Sequence, residues 1–292
     1  MNKNFHKRPF YKIAGKISKI MQDFQKRQDN KVIIKVNEAW NKLFKGKEFF
    51  EFLLNDDVKI NLYKDSILSK LIYDGFEKEE TAYVISILNE GDIFIDVGTN
   101  IGLFSLMASK KVGDEGLIIC FEPSPTIFER LIENVKLNNL KNIDARKVGL
   151  SNKSTELTFY VSKNGFDAWN SFAPSQDNKL EMEIKVPVST LDFELKDINK
   201  SLVKVIKIDV EGWEKFVLFG GEDFFVKYSP IVMVEFTEEN TFNAGYCVHD
   251  LYDIMQNWGY VWYRIVGGKL ILENKKMRYP YNNLIAIKNI IK

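Results

Sequence analysis

The chain has 292 residues, 45% hydrophobic and 28% charged, with a net charge of +1. That is ordinary globular composition; two cysteines and two histidines exclude a disulfide scaffold and a Cys/His zinc site of the usual spacing. No apolar stretch reaches the ~20 residues that span a bilayer and no signal-peptide core is present, so a cytoplasmic protein is expected.

The small net charge hides an asymmetry. Residues 1–47 hold 13 Lys/Arg against 3 Asp/Glu, leaving 28 against 37 in residues 48–292. An acidic body argues against nucleic acid as the substrate, because a phosphate backbone needs a basic groove. Within the basic segment Phe10, Ile13, Ile17, Ile20, Met21 and Phe24 recur at helical spacing with lysines between them. Residues 1–50 therefore read as a basic amphipathic helical extension. It packs on the body or on its twin in a homodimer, with a peripheral membrane surface or protein partner as the alternative.

Residues 51–292 read as the main domain. A strand is expected at Val58–Tyr63 and a helix at Glu77–Leu88, closed by Gly91. Strand–helix repeats follow: strands 93–97, 117–121 and 143–148, helices 101–111 and 125–138, then strands Lys204–Ile208 and Ile231–Glu235. Repeated βα units imply an α/β fold with a mostly parallel sheet. Two alternating runs, Glu156–Val161 and Glu183–Val188, form an antiparallel pair in an insertion at about 152–190. A helix at 249–257, a hairpin of Tyr260–Val266 with Lys269–Leu272, and a last antiparallel strand at Leu284–Lys288 complete the chain. Cys120 lies in an apolar run and reads as an inert buried thiol.

Two strand ends carry the chemistry. The first is Asp96-Val97-Gly98-Thr99-Asn100-Ile101-Gly102. Gly98 lets backbone approach a ligand, Gly102 relieves packing at the helix start, and the free amides there favour an anionic group. An acid at the head of this loop also suits an amine. Glu122 ends the next strand twenty residues after Gly102, placed to accept ribose hydroxyls. Nothing is present to hold a pyrophosphate, and the spacing is not Gly-x-Gly-x-x-Gly, so S-adenosylmethionine (SAM) is favoured over NAD. Thr99, Asn100 and Ser151 complete the expected cofactor contacts, Ser151 where an adenine would lie.

The second strand end is Lys207-Ile208-Asp209-Val210-Glu211-Gly212-Trp213-Glu214. With the first loop, Phe121-Glu122-Pro123, Val148–Asn152, Val188–Asp192 and Val234-Glu235, it resembles the FkbM-type family of SAM-dependent methyltransferases over roughly residues 75–288. Thr99 departs from the alanine frequent there. The resemblance implies a class I Rossmann-like methyltransferase, usually acting on a hydroxyl of a sugar or secondary metabolite. Asp209, Glu211 and Glu235 stand at or just past adjacent strand ends, where the methyl should point. They can act as base and hydrogen-bond acceptors, or Asp209 and Glu235 can hold a divalent metal. Lys207 orders that cluster or forms a structural ion pair. Glu214 reads as a first-turn acid complementing the helix dipole. Trp169 and Asn170 are minor candidates for contacting a sugar. His249, at a helix start, is a minor candidate for touching substrate, with a structural role ahead of it. The expected function is O-methyl transfer to a sugar or glycan precursor; the rivals are a non-catalytic SAM-binding scaffold and an NAD-dependent oxidoreductase.

Overall fold

The computed structural model describes residues 39–162, 167–174 and 181–288. The helical pattern expected at residues 10–24 lies outside the described residues. The chain divides into two units, Met1–Phe50 and Glu51–Lys292. In the first, Trp40, Phe44 and Phe50 meet edge to face with ring centroids 5.0–6.0 Å apart.

Strand β1 (Phe49–Leu53) carries the chain across that boundary. Asn55 turns it into β2 (Lys59–Tyr63), its side chain accepting from the amides of Asp57 and Val58. Two helices follow, α1 (Ile67–Tyr73) and α2 (Lys78–Ile87). The repeats begin with β3 (Ile93–Val97), α3 (Leu103–Val112), β4 (Leu117–Phe121), α4 (Pro125–Leu137) and β5 (Ile143–Arg146). All five residues of β3 are buried, as a strand covered on both faces requires, and its Ile-Phe-Ile-Asp-Val sequence suits that place. Helix α4 starts on Pro125, whose missing N–H is unneeded in a first turn. Its buried Asn134 accepts from the Asn61 amide at 2.7 Å and donates to the Ile101 carbonyl at 2.9 Å. That one side chain ties β2 to the loop after β3.

The expected strand 143–148 is shorter than read. After Arg146 the chain leaves the sheet, and β6 (Gly149–Leu150) joins β7 (Thr155–Ser162) and β8 (Glu181–Ser189) in a separate three-stranded sheet ordered β6–β8–β7. The antiparallel pairing of β7 and β8 matches the alternation seen in the insertion. A one-turn helix α5 (Leu191–Glu194) leads to β9 (Val203–Ile208), then α6 (Glu214–Gly220), α7 (Glu222–Tyr228) and β10 (Ile231–Phe236). Next come α8 (Glu238–Asn243), α9 (His249–Asn257), β11 (Tyr260–Val266), β12 (Lys269–Leu272) and β13 (Asn282–Lys288). The main sheet has eight strands ordered β12–β11–β13–β10–β9–β3–β4–β5. Neighbours from β10 to β5 pair in parallel, and β13 runs antiparallel to both β10 and β11. This is the expected α/β, class I Rossmann-like arrangement with a C-terminal antiparallel strand. Its core packs Ile95, Ile119, Ile206 and Val234 against helix residues such as Val217, Leu218 and Leu251.

Candidate active site

From β3 the chain winds outward to β4 and β5; β9 and β10 lie on the other side. Loops leaving β3 and β9 therefore lead to opposite sides, the place where open α/β sheets bind their ligands. Gly98 sits there with φ +79°, and a Cβ on it would lie 1.8 Å from the Asp209 carbonyl oxygen. The Asp209 amide in turn donates to the Val97 carbonyl at 3.0 Å. The two strand tips thus touch through bare backbone, which only glycine permits.

On the β3 side, Asp96 is buried and its Oδ2 accepts from Ser105 Oγ at 2.5 Å, while Oδ1 has no partner. Burial pushes its pKa up, against the pull of the Lys207 ammonium. Glu122, also buried, accepts from the amides of Asn100 (3.1 Å) and Ser124 (2.9 Å). Burial pushes it up to about 7, those two amides working the other way. Thr99 Oγ1 donates back to the Asp96 carbonyl, and Asn100, at φ 51°, donates to the Asp167 carbonyl. An orphaned acid oxygen and a second acid on the next strand tip fit a ligand carrying an amine and a diol. SAM has both.

On the β9 side, one carboxylate oxygen from each of Asp209, Glu211 and Glu235 lies within 4.8 Å of the others. Each of the three acids is held by a different donor. Lys207 Nζ lies 2.7 Å from Asp209 Oδ2, Asn240 Nδ2 donates to Glu211 Oε2, and Thr237 Oγ1 donates to Glu235 Oε1 at 3.0 Å. Burial works against the Lys207 charge, yet Asp209, Glu77 and Asp96 hold its pKa above the usual lysine range. Its ammonium also lies 5.0 Å from the Phe104 ring centroid. Desolvation and mutual repulsion raise Glu211 and Glu235 well above ordinary glutamates; beyond burial, Asp209 is the main charge on Glu211, and Glu211 on Glu235.

Glu214 lies in the first turn of α6, as expected, but does more than face a dipole. It is buried; Oε1 accepts from the amides of Val210 (3.0 Å) and Gly212 (3.1 Å), and Oε2 from Tyr246 at 3.2 Å. These bonds fold the 210–212 turn, in which Glu211 has φ 53° and Gly212 φ +97°. A Cβ on Gly212 would meet the Asn240 carbonyl oxygen at 2.4 Å. Residue 240 thus approaches the turn with its backbone and holds Glu211 with its side chain.

The other candidates stand in different surroundings. Ser151 is buried, its hydroxyl accepting from the Trp213 indole at 3.2 Å and its amide donating to Ser189. Asn170 Oδ1 accepts from the Ser162 amide, and Trp169 is 55% exposed on the insertion. His249 contacts Cys247 Sγ and, through Nε2, the Lys276 carbonyl at 2.7 Å. Nε2 thereby ties the α9 start to the 276 loop, while Nδ1 faces the neighbouring Cys247. Cys120 is buried, with its thiol pushed up to about 12 by burial.

Residues without a motif complete the site. Glu77, in the left-handed conformation before α2, accepts from Asn283 Nδ2 and from Tyr281 at 3.2 Å. Asn283 is the strand partner of Glu235. Burial brings Glu77 up to about 7 despite Lys207. Asp167 is buried, takes the Leu68 amide on one oxygen and lies 3.9 Å from Arg130 through the other. A positive φ at a non-glycine cannot be read from the sequence, and side-chain pairs 206 residues apart leave no spacing to find.

Against known proteins, a family model described as "Methyltransferase FkbM domain" matches residues 96–262, from Asp96 on β3 to Trp262 on β11. The chain belongs to the FkbM methyltransferase family. Curated relatives include Methyltransferase 1 of Beauveria bassiana, 29% identical over 53% of this chain and 70% of that one. Another is the hexuronic acid methyltransferase AglP of Haloferax volcanii, 30% identical over 49% of this chain and 56% of AglP. Methyltransferase sdnD of Sordaria araneosa is 30% identical over 48% and 64%. The chain thus spans under two thirds of the last two relatives' lengths. Among solved structures, an FkbM methyltransferase from Methylobacillus flagellatus aligns over 68% of this chain and 44% of that one, at 13% identity and a TM-score of 0.44. Membership supports a SAM-dependent methyltransferase, and the FkbM match covers both strand tips described above.

Proposed function

We propose that this FkbM-family chain transfers the methyl group of SAM to a hydroxyl of a sugar or glycan precursor. The observation that carries this reading is the contact between the two tips: the glycine of the donor loop lies against the Asp209 carbonyl, so three acids gather beside the donor crevice. Bound there, SAM supplies an electrophilic methyl on a sulfonium.

The residues of the chain divide the remaining work. Asp96 Oδ1 takes the amine and Glu122 the ribose hydroxyls, with Thr99, Asn100 and the start of α3 shaping the loop. In the transfer the acceptor oxygen forms its bond to carbon while the carbon–sulfur pair leaves with sulfur. The hydroxyl proton goes to the carboxylate cluster of Asp209, Glu211 and Glu235. Positioning supplies much of the rate, and a carboxylate base adds about 10²–10⁴-fold. Similarity to AglP, by name a hexuronic acid methyltransferase, supports a sugar acceptor. Trp169 and Asn170, on the insertion, are proposed to meet the sugar. The basic segment 1–47 is proposed as the contact to a partner or membrane surface; among the described residues no helix is long and apolar enough to cross a membrane.

The test is transfer from methyl-labelled SAM to neutral and uronic acid–containing glycans, with product linkage read by base treatment. A base-stable methyl ether is expected. A base-labile methyl ester overturns the hydroxyl reading, and SAM binding with no transfer to any glycan favours a scaffold.

A further inference from the structure

The acid cluster holds more negative charge than its surroundings offset. Asp209, Glu211 and Glu235 converge, and Lys207 is shared among Asp209, Asp96 and Glu77. Glu235 is 5% exposed, yet its Oε2 has no hydrogen-bond partner. An unpartnered carboxylate oxygen buried among other carboxylates costs several kcal/mol unless something positive meets it.

One carboxylate oxygen from each of the three acids lies within 4.8 Å of the other two, close enough for a hard divalent cation with bonds of ~2.0–2.6 Å to meet all three at once. The donors already described leave the set all-oxygen, the chemistry of magnesium, calcium or manganese. Lys207 is shared with Asp96 and Glu77, so the three carboxylates keep a negative excess that a divalent ion would offset.

We propose that Asp209, Glu211 and Glu235 form a binding site for one divalent cation, with the acceptor hydroxyl as a further ligand whose proton passes to a carboxylate oxygen off the ion. The ion site stands on the geometry; its role toward the hydroxyl rests on the methyl-transfer reading. Asn240, Thr237 and Lys207 are positioning residues that hold the three carboxylates.

The experiment strips the full chain with chelator and titrates it with Mn²⁺ at pH 8, following free ion by electron paramagnetic resonance. S-adenosylhomocysteine binding and melting temperature serve as folding controls. One saturable Mn²⁺ is expected, displaced by excess Ca²⁺ or Mg²⁺. Glu235→Gln should weaken it about tenfold or more, as should Asp209→Asn, which keeps the test open should either variant misfold. No saturable binding below about 1 mM by a chain that still binds S-adenosylhomocysteine overturns the site, as does equal Mn²⁺ affinity in both folded variants. Undiminished methyl transfer by the stripped enzyme overturns the ion's role and leaves methyl transfer standing. Saturable Mn²⁺ without transfer to any hydroxyl supports the site and overturns the acceptor reading.

Discussion

Glu122 on one strand tip and the three clustered acids on the other are held in opposite ways. At the β3–β4 tip, Glu122 is fixed by main-chain amides two and twenty-two residues away. At the β9–β10 tip, Asp209, Glu211 and Glu235 are fixed by side chains, Lys207, Asn240 and Thr237. Backbone donors come with the fold and demand little of the sequence beyond glycines. Side-chain donors must each be supplied, so the second tip can change its ligand without changing the scaffold. On the proposed reading the first tip is the donor end and the second the acceptor end.

Joining the ends should break the molecule most severely. Gly98→Val places a side chain on the Asp209 carbonyl at a positive φ, which branched residues rarely adopt. We expect loss of S-adenosylhomocysteine binding and a stability deficit of about 3 kcal/mol or more, read by calorimetric titration and urea unfolding. Wild-type binding would mean that the tips need not touch. Next, Asp209→Asn should lower kcat by about 10²–10⁴-fold while donor affinity stays near wild type. A matching loss of donor affinity would erase the division between the ends.

Legibility divides instead between local and long-range features. The βα order, the glycine loop, Glu122 and the Asp209–Glu211 strand end announce themselves by local spacing within short runs of sequence. The end of the 214–220 helix and the 222–228 helix escape because two seven-residue segments meeting at Gly220-Gly221 show too little periodicity. Glu77, Tyr281 and Asn283 escape because sheet topology alone brings β13 beside β10. The spacing puts Glu214 in a first turn but carries no sign of its burial, since its Tyr246 partner comes from tertiary packing.

The pH response sharpens the comparison at the donor end. Burial raises Glu122 to about 7, above its unfolded value near 4.5. The folded chain therefore binds the extra proton between those values, and stability falls as pH rises through that window. For this carboxyl alone the loss is about 3 kcal/mol. Glu122→Gln should flatten the decline of melting temperature between pH 5 and pH 8 while raising the KM for SAM about tenfold, with kcat little changed. A wild-type pH slope in that variant would place the titration in Glu77 or Glu214, which share the same value.

Tyr246→Phe probes the smallest step and the acceptor end alone. It removes one of the three donors on Glu214 and leaves the amides of Val210 and Gly212 in place. The lost bond should cost about 1 kcal/mol of stability, seen as a lower urea midpoint with an unchanged slope. The 210–212 turn carries Glu211, so loosening it should lower kcat modestly and leave donor affinity untouched. If donor affinity fell instead, the turn would be transmitting to Gly98 through the Asp209 carbonyl. The two ends would then be one mechanical unit rather than two neighbours in contact.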